Sequence, residues 1–252
     1  MIGVFDSGVG GLSVLTAIRR ELPRADLFYV ADRGRGPYGP RTLGDVEAIS
    51  HDVSRWLIDR GADCLVIACN TASAAALKSI REANPELAVV GMEPAVKPAA
   101  AGTSTGTVAV YATAATFQGE LFESVVSRFA EGVRVLTRAC PEWVAMVEGG
   151  VVEGPEAEKL VTEALQPAMD ADADHIVLAC THFSFLTPLI ERVSGIKVID
   201  PAPAVALQTA RVAPSPVGSG LTQLAASGDT NDFAALALSL SGLEVPVIPF
   251  QT

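Results

Sequence analysis

The 252-residue chain is 49% hydrophobic and 19% charged, with a formal net charge of −11. That length carries one large domain or two small ones with ample core, and the composition is too apolar for a disordered chain. So acidic a protein is a poor partner for nucleic acid or an anionic membrane, and neither is expected; a small anionic substrate stays open, because a local site can oppose the global field.

The N-terminal segment MIGVFDSGVGG has no basic region ahead of its apolar run, which Asp6 interrupts early. Residues 2–7 read as a short buried strand, followed over 11–22 by helical spacing that stops at Pro23. DLFYVAD (26–32) is a strand, 43–61 an amphipathic helix ending in Gly61, CLVIAC (64–69) a strand, and 71–84 a helix. AVVGME (88–93) is a strand that ends before Pro94. The plan then repeats: strand 107–113, helix 117–130, strand 133–140, helix 156–170, strand 175–180, helix 186–195, strand 197–201. After it come a helix over 204–213, a loop over 213–220, a strand over 221–228, a capped helix over 229–242 and a last strand over 245–250. No stretch approaches ~18 uninterrupted apolar residues, so no membrane span is expected and the cytoplasm is the expected location.

Apolar strands alternating with helices predict parallel sheets covered on both faces. The two halves also lie over one another. IGVFDSGVGGLSVL matches VAVYATAATFQGELF, which places Asp6-Ser7 over Ala112-Thr113, and LVIACNTAS (65–73) matches IVLACTHFS (176–184), at offsets of roughly 110 residues. The expected fold is therefore α/β, with two similar domains of flavodoxin-like α/β/α layering. A pseudo-twofold axis relates them, and the active site lies in the cleft between. The first domain takes residues 1–93 plus 207–252, the second 94–206.

Ligands of open parallel sheets bind beyond the carboxyl ends of the strands, where both Cys69 and Cys180 fall. Across such a cleft two thiols reach opposite faces of one small molecule. Inversion at a carbon acid needs one base to remove a proton and one acid to return it on the other face, and a thiolate and a thiol coexist near neutral pH after modest tuning. A symmetric pair therefore suits a racemase. Asn70 and Thr71 follow Cys69 at a helix start, and Thr181 and His182 follow Cys180, where backbone N–H groups favour an anion. Asp6 and Ser7 end the first strand, and the glycine-rich turn after them is expected to cradle a carboxylate or phosphate. Cys64 and Cys140 lack a matching polar tail and read as core, while His51 and His175 read as a solvated helix residue and a strand-edge residue. With no CxxC pair and three scattered histidines, no metal site is expected, and the cysteines should be reduced.

FDSGVGGLSV (5–14), VADRGRGPYG (30–39), ACNTAS (68–73), EPAVKPA (93–99) and ACTHF (179–183), all in this order, make the whole chain resemble the glutamate racemase family of the cofactor-independent aspartate/glutamate racemase superfamily. The resemblance implies interconversion of L- and D-glutamate by two cysteines without cofactor or metal, supplying D-glutamate for peptidoglycan. It assigns the acid/base pair to Cys69, on the D-enantiomer's side, and Cys180, on the L-enantiomer's side. Asp6 assists Cys69, and His182 assists Cys180 with Glu148 as helper. Asp6, Ser7, Tyr38, Gly39, Asn70, Thr71, Thr113, Thr116, Thr181 and His182 bind substrate. A homodimer is among the assemblies the family forms.

The chain departs from the family pattern at Phe183 and Ser184, where the second motif usually reads Tyr-Pro, and at Arg33 and Arg35 before PYG. These changes leave the thiols alone but fall near the end of the pocket that reads the side chain. A racemase of another acidic amino acid, such as aspartate, is the alternative. An amino-acid binder with inert thiols or a redox dithiol explains less: a binder needs no thiol on both faces, and a disulfide needs Cα atoms within ~7 Å.

Overall fold

Two parallel sheets organise the molecule, and the computed structural model describes residues 1–214 and 217–251. The first half runs β1 (Ile2–Asp6), α1 (Leu12–Glu21), β2 (Leu27–Ala31), α2 (Leu43–Ile58), β3 (Cys64–Ile67), α3 (Asn70–Ala83) and β4 (Ala88–Gly91). The second runs α4 (Val96–Gly102), β5 (Thr107–Ala112), α5 (Ala114–Gln118), α6 (Glu120–Phe129), β6 (Arg134–Ala139), α7 (Pro141–Glu148), α8 (Pro155–Asp170), β7 (His175–Ala179), a 3-10 turn (Thr181–Leu186), α9 (Thr187–Ser194) and β8 (Lys197–Ile199). The chain then returns through α10 (Ala202–Val212) to β9 (Thr222–Ala226), α11 (Thr230–Ser241) and β10 (Val247–Pro249). Ser215 and Pro216 of the expected loop lie outside the described residues.

The six-stranded sheet has the order β10-β9-β2-β1-β3-β4 and the four-stranded sheet β6-β5-β7-β8. Both contain the same core order, with the first strand flanked by the second and third, as the internal repeat requires. Register agrees as well: Phe5 pairs with Ile67 in one sheet and Ala112 with Ala179 in the other, so each cysteine follows an alanine at the carboxyl end of its strand, Ala179 as the last residue of β7 and Ala68 one position beyond β3. The strands β1, β2, β3, β5 and β7 are buried along their whole length, which is why they read as unbroken apolar runs.

Alternation along each strand feeds different cores. Val66 and Ala68 face a central core with Leu12, Tyr111, Trp143 and Phe183, while Leu65 and Ile67 face a core under α2 and α3. Val108 and Val110 face a third core with Phe122 and Val125. The central core joins both halves, and Trp143 stacks on Tyr111 and meets the edge of Phe183 within it. Phe183 is thus fully buried packing.

Three local expectations are corrected. The helix expected over 117–130 is two helices, α5 and α6, broken at Gly119, where the backbone passes against Ala74 of α3. Helices α4 and α7 and the 3-10 turn stand where no element was expected. His51 is half-buried with its Nε2 3.0 Å from the Ser79 hydroxyl, so it is not a freely solvated residue. His175 stands at the strand edge expected of it, as the first residue of β7, buried with Nδ1 2.9 Å from Asp174.

Candidate active site

A cleft of about 690 Å³ opens at the carboxyl ends of β1, β2, β3, β5 and β7, between the two sheets. Cys69 and Cys180 both line it, one from each half, and each is 5% exposed. All four cysteines are free thiols.

Cys69 is the N-cap of α3. Its extended backbone precedes Asn70, and its sulfur accepts the Ala72 amide at 3.4 Å, the place a serine or aspartate side chain takes at most helix starts. The Ser7 hydroxyl lies 3.9 Å from the same sulfur. Burial pushes the Cys69 thiol up to about 12, with the charges of Asp6 and Cys180 adding to it, so it is protonated at neutral pH. Cys180 begins the 3-10 turn, with its sulfur 3.7 Å from His182 Nδ1. The other imidazole nitrogen, Nε2, lies 2.7 Å from Glu148 Oε1, which also accepts the Val9 amide at 2.8 Å. Burial opposes the imidazolium, but the Cys180 sulfur, as hydrogen-bond acceptor and thiolate, the Glu148 carboxylate and Asp6 outweigh it and hold His182 well above its usual range. Glu148 moves the other way: burial disfavours its charge, yet His182, the Val9 amide and Arg33 keep its carboxyl below the usual value.

The glycine-rich turn does cradle carboxylates, but they are the protein's own. The Gly8 amide donates to Asp6 Oδ1 at 2.8 Å and the Val9 amide to Glu148. A side chain at Gly8 would run into the Glu148 carboxylate, and one at Gly10 would come within 2.5 Å of His182 Nδ1 and the Thr181 hydroxyl. These glycines let the first half approach the second.

Ser7, Tyr38, Gly39, Asn70, Thr71, Thr113, Thr181, His182 and Glu148 line the cleft with the two cysteines. Asp6 and Thr116 do not. Asp6 is wholly buried behind the wall, where it accepts the Thr181 hydroxyl at 2.9 Å, and burial raises its carboxyl to about 6 despite the nearby His182. Thr116 sits behind Thr71 and Thr113, 3.4 Å and 2.9 Å from their hydroxyls, and Thr71 and Thr113 are themselves 2.8 Å apart across the halves. Both polar atoms of the buried Asn70 amide lack a hydrogen-bond partner among the described residues at the cleft wall.

Two carboxylates, Asp32 and Asp232, were not foreseen. Tyr38 is held by Asp32, a fully buried carboxylate that accepts its hydroxyl at 2.6 Å, Arg35 Nε at 2.7 Å and the Ser227 hydroxyl at 2.8 Å. Arg35 is therefore a structural brace. Arg33 does reach the cleft, but its guanidinium is committed to two carboxylates, Glu148 Oε2 at 3.1 Å and Asp232 Oδ2 at 2.7 Å. The RGRG segment flagged both arginines; their partners lie too far along the chain for the sequence to name.

A profile of the Asp/Glu/Hydantoin racemase family matches residues 2–209. The chain is 45% identical over 244 residues to the glutamate racemase of Roseiflexus sp. (strain RS-1), covering 93% of this chain and 90% of the relative. It is 44% identical over 213 residues to the glutamate racemase of Pseudomonas aeruginosa (strain UCBPP-PA14), covering 84% and 80%. Among solved structures it superposes with a TM-score of 0.88 and 29% identity on a glutamate racemase isoform from Bacillus anthracis, covering 100% and 97% of the two chains. A further match, TM-score 0.87 and 29% identity over 98% and 96%, is Escherichia coli glutamate racemase in complex with L-glutamate and the activator UDP-MurNAc-ala.

Proposed function

The chain belongs to the Asp/Glu/Hydantoin racemase family, with the glutamate racemases, and is a racemase; from that premise we propose that it interconverts L- and D-glutamate by proton transfer between Cys69 and Cys180. The observation that carries this reading is the pair of cysteines at equivalent strand ends of two sheets, lining one cleft. One sulfur, as thiolate, takes the α-proton and becomes a thiol. The other, as thiol, gives its proton to the opposite face of the same carbon and becomes a thiolate. Cys180 serves the L-enantiomer's side, with His182 beside it as proton partner, and Cys69 serves the D-enantiomer's side.

Forming a thiolate at Cys69 works against burial and against Asp6. The ammonium group of an amino acid supplies the positive charge that this side lacks, so the thiolate forms only with substrate in place. Ser7, Asn70, Thr71, Thr113 and Thr181 offer hydroxyls and an amide suited to two carboxylates and an ammonium. The lobes that close on the substrate are 1–93 plus 207–252 and 94–206, the second boundary falling inside α10. D-glutamate made in the cytoplasm in this way supplies peptidoglycan synthesis.

The test is incubation with L-glutamate in D₂O without added cofactor, following optical rotation and the α-proton signal together. Loss of both supports the proposal. Activity on L-aspartate alone reassigns the substrate, and silence on both amino acids in folded, reduced protein defeats it.

A further inference from the structure

We propose that Arg33 is a positioning residue for the Cys180 half of the reaction: reaching across the cleft from the loop after β2, it fixes Glu148 and, through Glu148, holds the His182 imidazole against the Cys180 sulfur. The inference rests on the two-cysteine reading above.

Glu148 is the last residue of α7, followed by Gly149 and Gly150. A helix carboxyl terminus carries partial negative charge, so a carboxylate there needs cations to hold it. Its two oxygens divide the work. Oε1 takes His182 Nε2 and the Val9 amide, and Oε2 takes Arg33 Nε. With Oε2 anchored, the carboxylate plane is set and Oε1 is aimed at the imidazole. Arg33 is fixed in turn at its other end, where NH1 meets Asp232 in the first turn of α11, the helix capped by Asp229. A planar guanidinium held at two points transmits orientation in a way a flexible ammonium does not. Asp6 and the Tyr29 phenol, behind the turn after β1, also act electrostatically with Glu148. Neither is a cation; among the described residues His182 and Arg33 are the cations paired with it.

Arg33 spends its Nε and NH1 on these two carboxylates, which argues against a role as receptor for a substrate carboxylate. Among the described residues the Cys69 sulfur meets the Ser7 hydroxyl and the Ala72 amide and no imidazole or guanidinium, so the effect of Arg33 is confined to one of the two proton transfers.

The test compares Arg33→Met with Arg33→Lys after wild-type racemisation of L-glutamate has been established. Arg33→Met is expected to lower kcat on the order of 10-fold, the scale at which outer groups that orient a reacting ligand act, with KM changed less than about threefold. The acid limb of the kcat/KM profile should move to higher pH, because loss of a cation favours protonated Glu148. Arg33→Lys should return the limb toward its wild-type position. An unchanged kcat and limb overturn the proposal. A rise in KM alone does so too, since it makes Arg33 a substrate-binding group. A second arm needs no turnover. In ¹⁵N-labelled protein the His182 imidazole signals, identified by their loss in His182→Asn, report protonation of Glu148 as an acid-side inflection. That inflection should move up in pH in Arg33→Met and not in Arg33→Lys; one position in all three proteins overturns the inference. If the wild type does not act on glutamate, the functional reading fails and this arm alone decides. If Arg33→Met does not fold, Arg33→Gln takes its place.

Discussion

Cys69 caps a fourteen-residue helix, and its sulfur meets an amide and a serine hydroxyl; Cys180 opens a 3-10 turn, and its sulfur meets an imidazole backed by a carboxylate and a guanidinium. The backbones around them repeat, down to strand order and register, while the polar groups do not. A duplicated scaffold therefore supplies two equivalent positions, and the surroundings of each set its chemistry. Burial and a neighbouring anion keep the first sulfur protonated. A charged His182 stands ready beside the second.

The strongest way to break this comparison is to remove each sulfur. Cys69→Ser and Cys180→Ser should each reduce net racemisation by roughly 10²- to 10⁴-fold, the worth of a positioned acid or base. Thermal melts should stay close to wild type, and a single variant that keeps the wild-type rate would end the two-base account. Next in size, His182→Asn should lower kcat by about 100-fold with little change in KM, because the imidazole acts on the Cys180 side alone. Deuterium wash-in measured from each enantiomer separately would show whether the loss is one-sided; equal losses from both would contradict the asymmetry.

A third effect concerns stability. Asp6 titrates near 6 in the folded protein against an ordinary value of 3.8. The folded state thus binds the proton more tightly, and the penalty for ionising Asp6 builds up as pH rises from about 4 to about 6. Above that window it amounts to roughly 3 kcal/mol. Asp6→Asn should raise the melting temperature at pH 7, by several degrees if most of that figure is recovered, and change it little at pH 4, while activity falls. A melting gain that is the same at both pH values would rule out this origin. The smallest effect belongs to the hydroxyl cluster on the Cys69 side. Thr113→Val removes the group that meets both Thr71 and Thr116 and should cost about 1 kcal/mol, read as a shift in the urea midpoint, with the His182 titration unmoved.

Much of this was legible in the sequence, for physical reasons. Strands buried on both faces announce themselves as apolar runs, and β1, β3, β5 and β7 all did. The internal repeat sets Cys69 and Cys180 at matching positions in the sequence alone. Short helices were missed. α7 carries only eight residues between a strand and a longer helix, although Pro141 at its start, Glu142 in its first turn and Gly149 after it were sound terminal signals. α4 was hidden by Pro98 and by a run of alanines with no polar face. The polar network was the least readable part. Arg33 and Glu148 are separated by 115 positions and Asp32 and Ser227 by 195, and no local pattern links such pairs.

The close approach at Gly8 and Gly10 has a consequence for how this chain can change over generations. A single added carbon at either position lands on Glu148 or His182, in the opposite half of the molecule. Such a substitution is felt first as a widening between the lobes, and the sulfur it unsettles lies more than a hundred residues further along the chain. The turn is therefore a place of low evolutionary tolerance whose cause is invisible from the residues beside it. A descendant that altered it would have to remodel the facing helix end at the same time.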